Sequence, residues 1–256
     1  MKVGCSIHSE HIPAHKEALF GLPVIEIEDY LYTGFADRDA EELPRVKEAL
    51  QGYDGEIILN APYIDLNPGS PERLVIEATR QRFQQAYEFA VALGAKEVIS
   101  HSTFLPIVYL DFYEEDWISR SIDFWRLYMK IVDPAVTISL VNTFESHPDF
   151  LVRIVEAVDR PNFKLTFDLG HYLVYSQVDL DIWLQKFVPH CSTVYVHSNN
   201  GKVDTHDEPF KGALRCEDVA RVARAVPETA RFMAKMSNKG TIAESVAWIR
   251  KCLEER

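Results

Sequence analysis

Cysteine is scarce in this 256-residue chain: Cys5, Cys191, Cys216 and Cys252 stand apart, none at CxxC spacing. Neither a disulfide framework nor a thiolate zinc site is therefore expected. No apolar run approaches the ~20 residues that a membrane span requires. The opening Met-Lys-Val-Gly-Cys-Ser-Ile-His is too short and too soon polar for a secretory signal, so the expected compartment is the cytoplasm, with no membrane partner. Basic residues are also few, 27 against 39 acidic ones, for a net charge of −12 without a Lys/Arg cluster. A nucleic-acid binder neutralises phosphates with a basic surface, so nucleic acid is not an expected partner. Linkers and low-complexity tracts are absent as well. With 47% hydrophobic and 26% charged residues, the chain reads as one domain, residues 1–256, with one sizeable core.

What the chain does have is a repeated pattern. Short β-branched and aromatic runs recur at 2–7, 23–28, 56–61, 96–101, 136–142, 164–168, 193–197 and 231–236, each followed by a helix-patterned segment. Ser70-Pro71-Glu72 reads as a helix start with Gly94 as its stop, and Thr241-Ile-Ala-Glu244 as a capping box opening the last helix. Eight strand-then-helix units predict an α/β fold, the (β/α)8 TIM barrel, whose parallel strands need helical crossovers. A doubly wound open sheet is disfavoured because Cys-Ser-Ile-His-Ser-Glu-His follows the first strand where that fold carries a glycine-rich turn. The segment 104–128, with Asp111, Glu114, Glu115 and Asp116, reads as an elaborated loop over the barrel mouth before its helix.

A barrel gathers strand ends. His101, Asn142, Asp168, His197 and Lys235 all fall at carboxyl ends of different strands, the face where barrel active sites lie. Residues 164–212 are the densest part: Asp168 and His171 stand three apart, and Asp204-Thr-His206 follows His197 in an extended loop. Carboxylates and imidazoles are the usual ligands of Zn, Mn or non-haem Fe, and clustered at strand ends they point to a metal or substrate site.

Leu59-Asn-Ala-Pro-Tyr63, Gly94-Ala-Lys-Glu-Val-Ile-Ser-His101, Val141-Asn-Thr-Phe-Glu145, Phe167-Asp-Leu-Gly-His171 and the run Val196 to His206 together resemble the signatures of the xylose isomerase-like barrel superfamily. That superfamily includes sugar-phosphate isomerases and epimerases and the endonuclease IV type of abasic-site nuclease. The resemblance implies a barrel with one to three divalent metals at its mouth. In the multi-metal members' ligand pattern, this chain has Asn60 for the first His, Val141 for the strand-five Glu and Lys235 for the strand-eight Glu. His101, Asp168, His171, His197, Asp204 and His206 are retained, while Phe210-Lys-Gly212 departs from the family's Gly-x-Gly.

The losses have consequences. In the isomerases and epimerases the two missing glutamates bind metal and move protons, so a cation between Asp168 and His197 is not expected. Lys235 has two readings: its ammonium replaces the lost metal by pairing with Asp168, or it is a catalytic amine with a lowered pKa. Glu26 and Glu28 share one face of strand two and need a basic partner or water if buried. Glu145 reads as a loop carboxylate outside the site. His11 shares the rim with His8 and Glu10.

The assignments are His171, Asp204 and His206 to at most one divalent metal (Zn, Mn or Fe), Lys235, His101, Asp168 and His197 to catalysis, and Asn60, Asn142, His8 and Glu10 to the substrate. They describe a sugar phosphate isomerase or epimerase-like barrel acting on a small polyhydroxylated or phosphorylated molecule, as a monomer or homo-oligomer. A barrel that binds a sugar or protein without turnover, and an abasic-site endonuclease-like hydrolase, are the alternatives.

Overall fold

The computed structural model describes residues 1–31, 33–106 and 112–256. Its strands are β1 (Lys2–Ile7), β2 (Val24–Ile27), β3 (Glu56–Asn60), β4 (Glu97–His101), β5 (Thr137–Val141), β6 (Phe163–Asp168), β7 (Cys191–Val196) and β8 (Arg231–Ala234). They pair in parallel and in chain order, and β8 returns to β1 to close the barrel. Each expected run holds a strand, with ends moved by a residue or two. The expected TIM barrel is therefore the fold.

Parallel strands covered on both faces are apolar almost throughout, and alternate residues point outward to the helices or inward to the barrel. The outward set joins the helices in the main core, including Trp117, Trp125, Trp183 and Phe167. The inward set forms three levels. Near the amino ends of the strands, fully buried Glu97 accepts from Arg231 at 2.9 Å and from the hydroxyls of Ser139, Ser192 and Thr193 at 2.7, 2.6 and 3.0 Å. An apolar waist of Val24, Ile58, Ile99, Val141, Tyr195 and Met233 follows. Above it, polar side chains return at the carboxyl ends.

Helix starts differ from the sequence reading. The helix Arg73–Leu93 is capped by Glu72, whose carboxylate accepts from the Leu74 N–H at 3.1 Å, while the Ser70 hydroxyl accepts from the Glu72 N–H one turn earlier. Its end at left-handed Gly94 is as expected. Thr241 precedes the helix Ile242–Glu254, but its hydroxyl donates to the Asn238 carbonyl, so no capping box forms. The segment 104–128 is mostly helix, Tyr113–Tyr128, with Glu114, Glu115 and Asp116 in its first turn, where the helix dipole favours acids. Asp111 lies outside the described residues. No helix among the described residues is long and apolar enough to cross a membrane.

Two cysteines also differ from expectation. Cys216, opening the helix Cys216–Ala225, and Cys252, in the last turn of Ile242–Glu254, form a disulfide across 36 residues. Spacing rules read local motifs and miss a bridge between helices brought together by the fold. Such bridges persist in oxidising compartments and in hyperthermophile cytosols, so cysteine usage no longer argues for a reducing compartment. Cys5 and Cys191 remain buried thiols, and burial pushes Cys5 up to about 12.

The upper polar level corrects the pairing expected for Lys235. Its ammonium lies 3.2 Å from each Glu26 oxygen and 2.9 Å from Glu28, and Lys239 approaches the other Glu28 oxygen at 3.2 Å. Ser6 and Tyr195 also donate to Glu26, as does Asn60 at 3.0 Å. The reason is topological: β1 lies between β8 and β2 and toward its carboxyl end turns the small residues Gly4 and Ser6 inward, so the lysine reaches across it. Toward Asp168 the intervening strand β7 carries the rings of Tyr195 and, just beyond it, His197. The expected basic partner for Glu26 and Glu28 is thus Lys235 itself. Burial opposes its charge, but Glu26 and then Glu28 outweigh that and raise its pKa, so the amine is held as ammonium.

Lys235→Met should destabilise the fold by about 3–5 kcal/mol, because it strands a buried carboxylate. Adding Glu26→Gln should recover much of the loss, whereas adding Asp168→Asn should not; denaturant titrations of the three variants decide between the two partners. Reduction of the disulfide should lower Tm by roughly 5–10 °C, since releasing a loop of this length costs about 3–4 kcal/mol. An unchanged Tm after reduction verified by thiol counting would contradict the bridge.

Candidate metal centre

Four side chains past the carboxyl ends of β6 and β7, those of His171, His197, Asp204 and His206, meet above the barrel, with Asp168 beside them. Asp168 ends β6 and caps the helix Leu169–Tyr175, its carboxylate accepting from the His171 N–H at 2.9 Å. That turn brings His171 over the barrel. His197 follows β7, and the loop to Cys216 carries Asp204 and His206. The loop is closed by reciprocal Ser198 and Asp207 backbone bonds of 3.0 and 2.8 Å and by Asn199 donating to the Gly170 carbonyl at 2.8 Å. His206 adopts a left-handed φ of 49°, a conformation uncommon for a residue with a side chain and often found at functional sites.

Each imidazole is fixed through one nitrogen. His171 Nδ1 donates to the Asn142 carbonyl at 2.7 Å, and His206 Nδ1 to the Lys235 carbonyl at 2.8 Å. His197 Nε2 donates to Asp168 at 2.8 Å. Carbonyls only accept, so Nδ1 of His171 and of His206 carries a proton, and charged His171 carries a second on Nε2, facing Asp204. The other nitrogens turn toward Asp204: His171 Nε2 is 3.1 Å and His206 Nε2 3.2 Å from Oδ2, and His197 Nδ1 is 3.9 Å from Oδ1. The His197 and His206 rings stack at 3.8 Å. One ligand atom from each of His171, His197, Asp204 and His206 lies within 4.8 Å of the others, the arrangement of a four-donor cation site. Among the described residues, buried His197 Nδ1 and Asp204 Oδ1 have no hydrogen-bond partner, which a cation would supply. The donor set and the orphaned atoms both fit a divalent metal.

Charge follows this geometry. Burial would raise Asp204, but hydrogen bonds from His171 and His206 hold it well below the usual carboxylate range. Asp168 is likewise held low, the His171 charge and the hydrogen bond from His197 outweighing burial. Burial opposes protonation of His171, yet Asp168 and Asp204 raise it to about 9. His197 goes the other way: burial outweighs Asp168 and lowers it, leaving Nδ1 free to coordinate. A glycine is required beside it, since a Cβ on Gly170 would sit 2.0 Å from the His197 ring.

A cavity of about 700 Å³ lies over these residues, lined by His8, Asn60, His101, His171, Asp204 and His206, with Lys235 also at its wall. Of the residues assigned to the substrate, Asn60 and His8 line it. Glu10 faces a neighbouring groove. Asn142 is buried, its side chain bridging the Asp168 backbone at 3.1 and 2.7 Å. His197, within the cluster, and Asp168, beside it, are wholly buried. His101 stacks on Tyr63 at 4.1 Å, and burial, then His171, hold its pKa well below the usual histidine value. Glu145 is a buried loop carboxylate taken by Ser102 and by the Thr143 N–H at 2.6 Å, outside the cluster. Sequence reasoning passed over Glu28, Thr143 and Lys239 as cavity residues. Thr143 lay inside a quoted motif, but nothing local marks Lys239.

Known proteins agree with this architecture. A model of the xylose isomerase-like TIM barrel family matches residues 18–252. An uncharacterised protein of Methanocaldococcus jannaschii is 27% identical over 174 residues, 65% of this chain, and the chain spans 59% of that protein's length. A D-tagatose 3-epimerase-like protein superposes with a TM-score of 0.82 at 21% identity, covering 100% of this chain and 98% of its own. A protein of Thermus thermophilus, soaked with zinc chloride, gives 0.75 at 20% identity, covering 100% and 99%. At these identities the likeness to the solved structures is one of fold. Barrel, strand-end histidines and matched length lead to one assignment: this chain belongs to the xylose isomerase-like TIM barrel family.

Proposed function

We propose that this chain is a single-metal enzyme of the sugar isomerase or epimerase type, acting on a small polyhydroxylated substrate in the cavity above the barrel. The observation that carries it is the convergence of three imidazoles and Asp204, each ring held by its other nitrogen. The zinc-soaked neighbour and the epimerase-like neighbour support the same reading. His171, His197, Asp204 and His206 would hold the ion. Bound there, a divalent cation such as Zn, Mn or Fe supplies a Lewis acid for a substrate oxygen or an acidified water.

The protein's own groups set the rest. Asp168 orients His197 in the manner of a carboxylate that supports a ligating histidine. His101 stays neutral and presents a polar ring to the cavity. Lys235, kept protonated by Glu26 and Glu28, is a fixed cation and not a Schiff-base nucleophile. A second reading, a barrel that binds a sugar-like ligand without turnover, is favoured by Val141 in the apolar waist and by Glu28, which faces the cavity but is held ionised by Lys235 and Lys239 against burial. Turnover of any polyol by metal-loaded protein excludes it.

Protein purified without chelator should carry about one equivalent of Zn, Mn or Fe, and metal at 100 times Kd should add about 2.7 kcal/mol of stability. Loss of this metal on His206→Ala, a ~10–100-fold weakening on Asp168→Asn, and no change on Glu145→Gln are expected by elemental analysis and competition titration. Equal effects from all three would refute the site. Affinity should also fall with pH below about 9, because loading must displace the proton that His171 carries there. A pH-independent affinity between 6 and 9 would show, against expectation, that His171 gives up no proton, on the order of one being predicted.

A further inference from the structure

We infer that Asn60, His101 and Thr143 form a subsite that grips neighbouring hydroxyl groups of a neutral polyol. The inference rests on the proposed metal site only in taking the cavity's ligand to be that site's substrate. Three polar atoms on these side chains are buried and without a partner among the described residues: Asn60 Oδ1, His101 Nδ1 and Thr143 Oγ1. Each side chain belongs to a residue no more than 8% exposed, and all three residues line the cavity. They stand at the ends of β3 and β4 and just past β5, three consecutive strands of the barrel. Buried polar atoms are nearly always satisfied, so three orphans lining one cavity point to a ligand.

Their chemistry restricts that ligand. Asn60 Nδ2 is committed to Glu26 at 3.0 Å and to the Tyr195 hydroxyl at 3.3 Å, so its remaining oxygen can only accept. The ligand group there must donate. His101 is held by its stack on Tyr63, and Thr143 by its N–H to Glu145, the carboxylate that also takes the Ser102 hydroxyl. An imidazole nitrogen and a hydroxyl complete the set, and hydroxyls both donate and accept. An ionised carboxylate or sulfate has no proton for Asn60. A vicinal diol satisfies an acceptor, an imidazole and a hydroxyl together.

Titration calorimetry of the metal-loaded protein with xylitol, D-fructose and myo-inositol, against succinate and sulfate, tests this. At least one polyol should bind while the anions do not. Thr143→Val and His101→Phe should each weaken it ~3–10-fold, the worth of one neutral hydrogen bond. Metal content should stay unchanged, and the Tm of Thr143→Val should hold or rise, because an orphaned hydroxyl is removed. No polyol binding, equal binding by wild type and both variants, anion binding lost in the same variants, or a Thr143→Val Tm that falls would each overturn the subsite. Wild-type protein separates the two readings: polyol binding with no metal ever loaded sinks the metal site alone, and metal-loaded protein indifferent to polyols sinks the subsite alone.

Discussion

Three histidines are usable as ligands here because each spends its other nitrogen on a fixed acceptor. The acceptors come from different parts of the barrel: the Asn142 carbonyl past β5, the Asp168 carboxylate at the end of β6 and the Lys235 carbonyl past β8. Barrel closure is therefore what orients the imidazoles, since no single loop holds all three acceptors. A histidine so tied keeps one tautomer and one ring plane, which lowers the reorganisation that metal loading would demand. The same geometry crowds charge around Asp204, and the raised His171 and lowered Asp204 are its electrostatic signature.

The barrel mouth is divided by chemistry. On the β8, β1 and β2 side, Lys235 and Lys239 alternate with Glu26 and Glu28 in a compensated chain of ion pairs. On the β6 and β7 side, imidazoles surround Asp168 and Asp204. Between them, β3 to β5 offer uncharged amide, ring and hydroxyl groups. The waist beneath, with Val141 in it, admits no further charge. A positive charge is thus built covalently into one side as Lys235, and the other side is left with the donors for a dissociable cation.

The strands were legible because burial on both faces demands nearly continuous β-branched runs, a strong local signal. Helix starts were less so. At Ser70 and Thr241 the hydroxyl found a nearer backbone partner, and local competition of this kind is what capping motifs do not encode. His171, Asp204 and His206 were legible from residue type and spacing at strand ends. His197 as a companion donor was not, because its ring is placed by packing against Gly170 and by Asp168. The Cys216–Cys252 bridge was hidden for the same reason: it joins helices whose proximity is tertiary.

Short, nearly continuous apolar runs, repeated eight times between helical patterns, determined the barrel and sent Glu26, Glu28, Asp168 and Lys235 to one end of it. Which of these charges meet is another matter. Charges at the same level lie within a few ångströms of several candidates, and small intervening side chains at Gly4 and Ser6 open one path while the rings of Tyr195 and His197 fill the other. Only the tertiary structure decided that Lys235 neutralises Glu26 and Glu28 and that Asp168 supports His197, because pairing depends on barrel order and side-chain volume, neither of which is local in the chain.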